Sequence, residues 1–138
     1  MAANTTPIFS RQGDIQWGDN NLTAANTAKD GTGTVVTAFT ADATEGGRVE
    51  SLSFQPLGTN VATAARIFIN NGGSNTVATN NVYYDDVTLP ATTLSEVASM
   101  PGVTVNLGIA LPPGYRILCT IGTAVAAGYK VTAVGGKF

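Results

Sequence analysis

The chain is short of the side chains that most enzymes use. It has no histidine, a single cysteine, Cys119, and only 12% charged residues in a length of 138. Without histidine there is no Ser–His or Cys–His nucleophile pair and no imidazole ligand for zinc. A lone cysteine excludes an internal disulfide, and its place in the apolar run 117–121 predicts a small buried hydrophobic side chain. No apolar run reaches the roughly 18 residues of a membrane-spanning helix, so none is predicted.

The charges that are present do not form a recognisable site. The seven basic residues are scattered from Arg11 to Lys137, whereas a nucleic-acid-binding protein needs a basic stripe. Asp85 and Asp86 are adjacent, and neighbours on a strand point to opposite faces, so they cannot act as a glycosidase pair. Together with Asp14 they match no EF-hand spacing, and we expect solvated charges at strand edges. The sequence therefore predicts a protein that is not an enzyme and that binds no nucleic acid, metal or cofactor.

What the sequence has in plenty is the material of short β-strands. Runs of Thr, Val, Ala and Ile are broken by Asn, Pro and 16 glycines. Such runs, separated by turn residues at near-regular spacing, are typical of an antiparallel sandwich or barrel. The predicted strands cover residues 15–17, 34–41, 48–56, 61–70, 81–89, 103–109, 115–121 and 129–134. We predict an all-β fold, an antiparallel β-sandwich of about eight strands that is jelly-roll-like; an immunoglobulin-like sandwich is the alternative.

The first residues differ in character from the rest. Residues 1–14 are polar and are interrupted by proline and glycine, with Ile8 and Phe9 as their apolar anchors. They predict an extended N-terminal arm, and the sandwich domain then covers residues 15–138.

Three further segments depart from regular strand patterns. The step from Val49 to Leu52 breaks the alternation of apolar positions and predicts a β-bulge or a slip of face. Residues 20–33 predict a loop, with an Ala-containing helical turn around 23–28. Residues 91–100 fit either a short helix or an extended connection.

The chain also contains one internal similarity. Residues 58–62 (GTNVA) and 122–126 (GTAVA) each lead into a basic residue followed by a β-branched one. The similarity fits two equivalent loop–strand units, and it fits chance in a chain biased toward Gly, Thr, Ala and Val.

Aromatic side chains are few, and they allow two functional interpretations. Trp17 is the only tryptophan, and we favour a role as a core anchor over a role in ligand stacking. Tyr83 and Tyr84 are neighbours on a strand, so they face opposite ways and one is expected in the core. If the protein binds a glycan, Trp17 and Tyr84 are the candidate stacking residues.

Five segments together resemble small virion proteins of tailed bacteriophages. They are NTTPIF (4–9), LTAANTAKDGTG (22–33), PLGTNVAT (56–63), LPATTLSE (89–96) and GTAVAAGY (122–129). The resemblance implies a capsid decoration (cement) protein, usually trimeric, with a jelly-roll-like body. Such a protein binds the outer capsid surface and stabilises contacts between major capsid proteins. It is made in the host cytoplasm and is located in the virion.

The resemblance also sets expectations for partners. We expect the major capsid protein and further copies of the chain, as a homotrimer, and neither nucleic acid nor a membrane. The arm is expected to contact a capsid or partner surface through Ile8, Phe9 and Arg11. Two alternatives remain: a glycan- or receptor-binding module of a head or tail fibre, using Trp17 and Tyr84, and a structural protein of the neck or tail.

Overall fold

The computed structural model describes residues 11–138, which form eight β-strands and one 3-10 turn, Ala78–Asn80. The strands are β1 (Gln12–Trp17), β2 (Val36–Thr40), β3 (Gly47–Pro56), β4 (Thr63–Asn70), β5 (Asn81–Leu89), β6 (Val103–Leu111), β7 (Arg116–Ile121) and β8 (Tyr129–Lys137). The segments rich in β-branched and aromatic residues thus become strands, and the Gly-, Asn- and Pro-rich segments become their connections.

The strands form two four-stranded sheets. Sheet A has the order β1-β8-β3-β6 and sheet B the order β2-β7-β4-β5, and every pairing is antiparallel. Consecutive strands lie in different sheets at every connection except β4–β5, which are neighbours in sheet B. The prediction of an eight-stranded antiparallel β-sandwich is confirmed.

The core lies between the two sheets and follows the two-residue period of the strands. In sheet A the side chains of Leu52 and Phe54 point inward, and in sheet B those of Ile67 and Cys119 do so, all fully buried. The prediction that Cys119 is a buried hydrophobic side chain is confirmed. Burial raises the pKa of its thiol to about 12, so the reactive thiolate is suppressed at neutral pH.

The expected β-bulge lies in β3. Val49 is paired with Gly135 and Ser51 with Val134, so Glu50 is the extra residue of the bulged strand. Only glycine fits opposite the bulge, because a Cβ at Gly135 would lie 1.9 Å from the carbonyl oxygen of Arg48. The break in alternation between Val49 and Leu52 is therefore a bulge and keeps both side chains in the core.

One side of the sandwich is closed by a side chain. The amide of Gln16, in β1, donates through Nε2 to Thr40 O (2.9 Å) and accepts through Oε1 from Thr40 N (2.9 Å). This side chain satisfies the free edge of β2 as a neighbouring strand would. On the opposite side, no hydrogen bond joins β5 to β6 within residues 11–138, so the sandwich is closed at one side and open at the other.

Several boundaries differ from those predicted. Strand β1 begins at Gln12, so residues 12–14 pair with β8 as part of the sandwich. The helical turn around 23–28 is absent, because the backbone N–H of Asn26 bonds the carbonyl of Ile121 (2.8 Å) and ties this segment to β7 instead. Residues 91–100 form an extended connection, the second of the two arrangements the sequence allowed.

The two similar loops of the sequence pack against each other. Asn60, which is 3% exposed, uses its whole amide to join them. Its Oδ1 accepts from the N–H groups of Ala127 (2.9 Å) and Gly128 (2.8 Å), and its Nδ2 donates to the carbonyls of Gly128 (3.1 Å) and Gly58 (3.3 Å). A buried amide with all its partners stabilises this end of the sandwich.

Candidate interaction surface

The outer face of sheet B, which points away from the core, is covered by residues 19–35. Phe68 and Leu118 point outward there, since their neighbours Ile67 and Cys119 point inward, yet they are 0% and 2% exposed. The ring of Phe68 also packs on that of Tyr83, with centroids 5.1 Å apart. We refer to residues 19–35 as the covering loop, because its attachments span this face.

Hydrogen bonds fasten the covering loop at both ends of sheet B. At one end, Asn26 N bonds Ile121 O. At the other, Asn75 Nδ2 donates to the carbonyls of Gly31 (3.2 Å) and Gly33 (3.0 Å), and Asn81 Nδ2 donates to Asp30 O (3.1 Å). The bonds at this second end are donated by side-chain amides to carbonyls of the loop backbone. They give these carbonyls the partners that a neighbouring strand would otherwise supply.

Among residues 11–138, no loop covers the outer face of sheet A. Strand register places eight side chains in two rows across its four strands, and none of them carries a charge. The rows are Ile15, Val134, Ser51 and Asn106, and next to it Trp17, Thr132, Ser53 and Thr104. We call these eight residues the bare face. Its apolar members Ile15, Trp17 and Val134 are 60%, 62% and 41% exposed, so the face presents apolar surface among small polar groups.

The expectation that Trp17 anchors the core is wrong. Gln16 and Asp14 face sheet B from β1, because the amide of Gln16 bridges to Thr40. Since side chains alternate along a strand, Ile15 and Trp17 must then face outward. The apolar side of β1 thus points to solvent and its polar side points toward the other sheet.

Charged residues lie beside the bare face. Arg48 and Glu50 of β3 form an ion pair beyond its first row. Lys130, beyond the second row, donates through Nζ to Gly18 O (3.0 Å). The bare face thus lies between an ion pair and one lysine, and it has no charged side chain of its own.

The predicted arm residues can be placed only in part. Ile8 and Phe9 lie outside the described residues. Arg11 is exposed, pairs with Glu45, and donates its backbone N–H to Lys137 O (2.6 Å). Arg11, one of the three predicted contact residues, thus directly precedes β1 and lies next to the last residues of β8.

The two candidate stacking residues do not meet. Trp17 lies on β1, an edge strand of sheet A, whereas Tyr84 lies on β5, the edge of sheet B at the other side of the sandwich. Tyr84 is 45% exposed, and Tyr83 packs on Phe68 outside the core, so neither tyrosine is in the core as one was expected to be. Burial, and then the bond to Asp86, raises the pKa of Tyr83. A single aromatic platform made by Trp17 and Tyr84 is not formed within one chain.

The acidic residues considered for calcium are also apart. Asp14 lies on β1 and accepts from Gln16 Nε2 (3.0 Å), while Asp85 and Asp86 lie on β5. Asp86 accepts from the hydroxyl of Tyr83 (2.8 Å). Among residues 11–138, no three acidic or cysteine side chains are grouped as metal ligands. Strands β1 and β5 are both edges, which is where the sequence placed these charges.

Sequence reasoning missed most of the bare face. Ser51, Ser53 and Thr132 look like ordinary strand residues until the register aligns them with Trp17. One signal was present, since Ile15 and Trp17 are two apart and share a face in any strand.

No helix in the described part of the chain has the length and apolar character needed to cross a bilayer. Comparison with protein-family models, with curated proteins and with solved structures finds no match.

Proposed function

We propose that this protein is a bacteriophage capsid decoration protein that binds the outer capsid surface through the bare face of sheet A. The observation that carries the proposal is the pairing of exposed Ile15, Trp17 and Val134 with uncharged neighbours. Monomeric soluble proteins rarely expose contiguous apolar patches larger than a few hundred Å², and those that they expose often mark interaction sites. The resemblance of five sequence segments to phage virion proteins is the reason for proposing a capsid protein as the partner.

The surface suits a protein that attaches in many copies. Completing the burial of an apolar side chain contributes about 1.5–3 kcal/mol at most, so three partly exposed side chains give a modest free energy of binding per copy. Several linked copies multiply such contacts through avidity. The proposed assembly is therefore a homotrimer on the major capsid protein.

Two features of the sandwich bear on separate parts of this proposal, the fold of the body and the association of copies. Strand β1 is the neighbour of β8, β2 of β7, β3 of β6 and β4 of β5, so the first four strands pair with the last four. This pairing supports the jelly-roll-like arrangement. The free edge of β6 carries no charged residue over its nine positions, which supports association between copies.

The glycan-binding alternative retains one supporting observation. Trp17 is exposed beside the hydroxyls of Thr132 and Ser53, an arrangement suited to stacking on a sugar ring. Tyr84 does not contribute, because it lies on the other sheet.

The test is the number of copies per virion, measured by quantitative mass spectrometry of purified particles and normalised to the major capsid protein. The proposal predicts a ratio approaching one copy per capsid subunit. A handful of copies per particle would contradict it and would favour a neck, tail or fibre protein. Light scattering of the isolated protein tests the trimer, since a mass near 14.1 kDa would identify a monomer.

A further inference from the structure

The connection that follows β4 contains a pair of residues with a chemistry of its own. Asn71 is followed by Gly72, and this is the only Asn–Gly pair in the chain. In such a pair the backbone nitrogen of the glycine can attack the side-chain carbonyl carbon of the asparagine, because glycine has no Cβ to obstruct the approach. The Asn71 side chain is exposed. The pair is therefore a candidate site of deamidation, a reaction that makes asparagine a thermolabile residue.

Deamidation consumes water and releases ammonia. Hydroxide removes the proton of the Gly72 N–H, the nitrogen forms a bond to Cγ of Asn71, and the bond from Cγ to Nδ2 breaks. The leaving nitrogen takes a proton from water and departs as ammonia, which regenerates hydroxide and leaves a cyclic imide. A water molecule then opens either carbonyl of the imide and gives aspartate or isoaspartate. Since a neutral N–H is a weak nucleophile, the rate depends on how readily the Gly72 N–H loses its proton.

In the folded chain this N–H is engaged by a buried side chain. Gly72 N donates to Oδ1 of Asn70 (2.8 Å), and Asn70 is fully buried. Asn70 is fixed in turn, because its Nδ2 donates to Oδ1 of Asn81 (2.7 Å). The amide of Asn81 donates to Asp30 O (3.1 Å), which joins this network to the covering loop. A hydrogen-bonded amide gives its proton to solvent only when the bond opens, so the first step of deamidation is suppressed.

The side chain that would be attacked is also held. Asn71 Oδ1 accepts from Gly73 N (3.0 Å), and its Nδ2 donates to Oδ1 of Asn80 (3.3 Å). The backbone N–H of Asn71 donates to Asn80 O (3.0 Å). The bond from Nδ2 is lost when ammonia leaves, so the folded turn stabilises the unmodified amide.

We propose that Asn71 is a site of spontaneous deamidation and that the side chain of Asn70 sets its rate in the folded protein. Asn70 is a positioning residue, because its Oδ1 keeps the Gly72 N–H away from hydroxide. Modification places a carboxylate where Nδ2 of Asn71 donated to Asn80, so the turn then loses that bond. The inference uses no residue of the bare face and does not rest on the capsid-binding proposal.

The first test uses the unaltered full chain. Folded protein and protein unfolded in guanidinium chloride are kept at the same mildly alkaline pH, and modification of Asn71 is followed by peptide mass spectrometry. We expect deamidation to be at least tenfold slower in the folded protein, and NMR to show slow exchange of the Gly72 N–H with solvent. Equal rates in the two states, or fast exchange of the Gly72 N–H, would overturn the proposal. Failure of the unfolded chain to deamidate would do so as well.

A matched pair of variants separates the role of Asn70 from the general rigidity of the fold. Asn70→Asp and Asn70→Ala both lose the bond from Nδ2 to Asn81, but only Asn70→Asp keeps an oxygen that accepts from Gly72 N. At a temperature where both variants are folded, we expect Asn70→Ala to deamidate at Asn71 at least tenfold faster than the unaltered protein. Asn70→Asp should deamidate at a rate close to that of the unaltered protein. Equal acceleration in the two variants, or none in Asn70→Ala, would contradict the role assigned to Asn70.

Discussion

The two sheets of this sandwich have four strands each, but their outer faces differ. On sheet B the outward side chains Phe68 and Leu118 are as buried as the core, because the covering loop lies over them. On sheet A the outward side chains Ile15 and Trp17 are more than half exposed. An apolar side chain under the covering loop therefore contributes to folding, whereas one on the bare face is available to a partner.

The largest expected effect comes from truncating one side chain on each face. Phe68→Ala should lower the free energy of unfolding by about 3–5 kcal/mol, because it leaves a cavity between the sheet and its cover. Trp17→Ala should lower it by less than about 1 kcal/mol, since most of that side chain is already in water. Urea denaturation of the two variants at neutral pH measures both. Equal losses would show that the bare face is part of the folded core.

A smaller effect on stability is expected from weakening the attachment of the covering loop. Asn75→Ala removes the bonds to Gly31 O and Gly33 O and should cost about 1–2 kcal/mol. It should also speed amide exchange in the covering loop, because its attachment at that end is weakened. Asn106→Ala, on the bare face, is the matched control and should change neither. Slow exchange retained in Asn75→Ala would mean that other contacts hold the loop.

The smallest expected effect is the contribution of Asp30, in the covering loop, to the pH dependence of stability. The side-chain and backbone bonds from Thr32 hold the pKa of Asp30 below its ordinary value of 3.8. A lowered folded pKa stabilises the protein above the unfolded value, and this contribution is lost as the pH falls through the folded value. Stability should therefore fall slightly below about pH 3.8, and less so in Asp30→Asn. Identical acid profiles for the two proteins, measured by urea denaturation, would contradict this assignment.

The strand pattern was predictable, because it depends on local chemistry. Residues 103–109 alternate, and β6 covers Val103–Leu111. The bulge after Val49 was predictable from the break in alternation. The position opposite the bulge has no room for a side chain, and it is occupied by Gly135. The largely apolar run 117–121 of β7 also fits a strand that is buried on both faces.

Which side of a strand faces solvent was harder to predict. An apolar pair such as Ile15 and Trp17 is normally assigned to the core, and the assignment failed because Gln16 is needed by the backbone of Thr40 on the other sheet. That bond joins residues 24 positions apart. The bare face depends in the same way on register between distant strands, so its small polar members gave no signal in the sequence.

The most direct test of the capsid-binding proposal is attachment to phage capsids that lack the protein. Labelled protein is mixed with such capsids and sedimented, and Trp17→Ala is compared with Tyr84→Ala, an exposed aromatic on the other sheet. The account predicts that Trp17→Ala weakens attachment at least tenfold while Tyr84→Ala binds as the unaltered protein does. Undiminished attachment of Trp17→Ala, with the unaltered protein bound, would show that the bare face is not the docking surface.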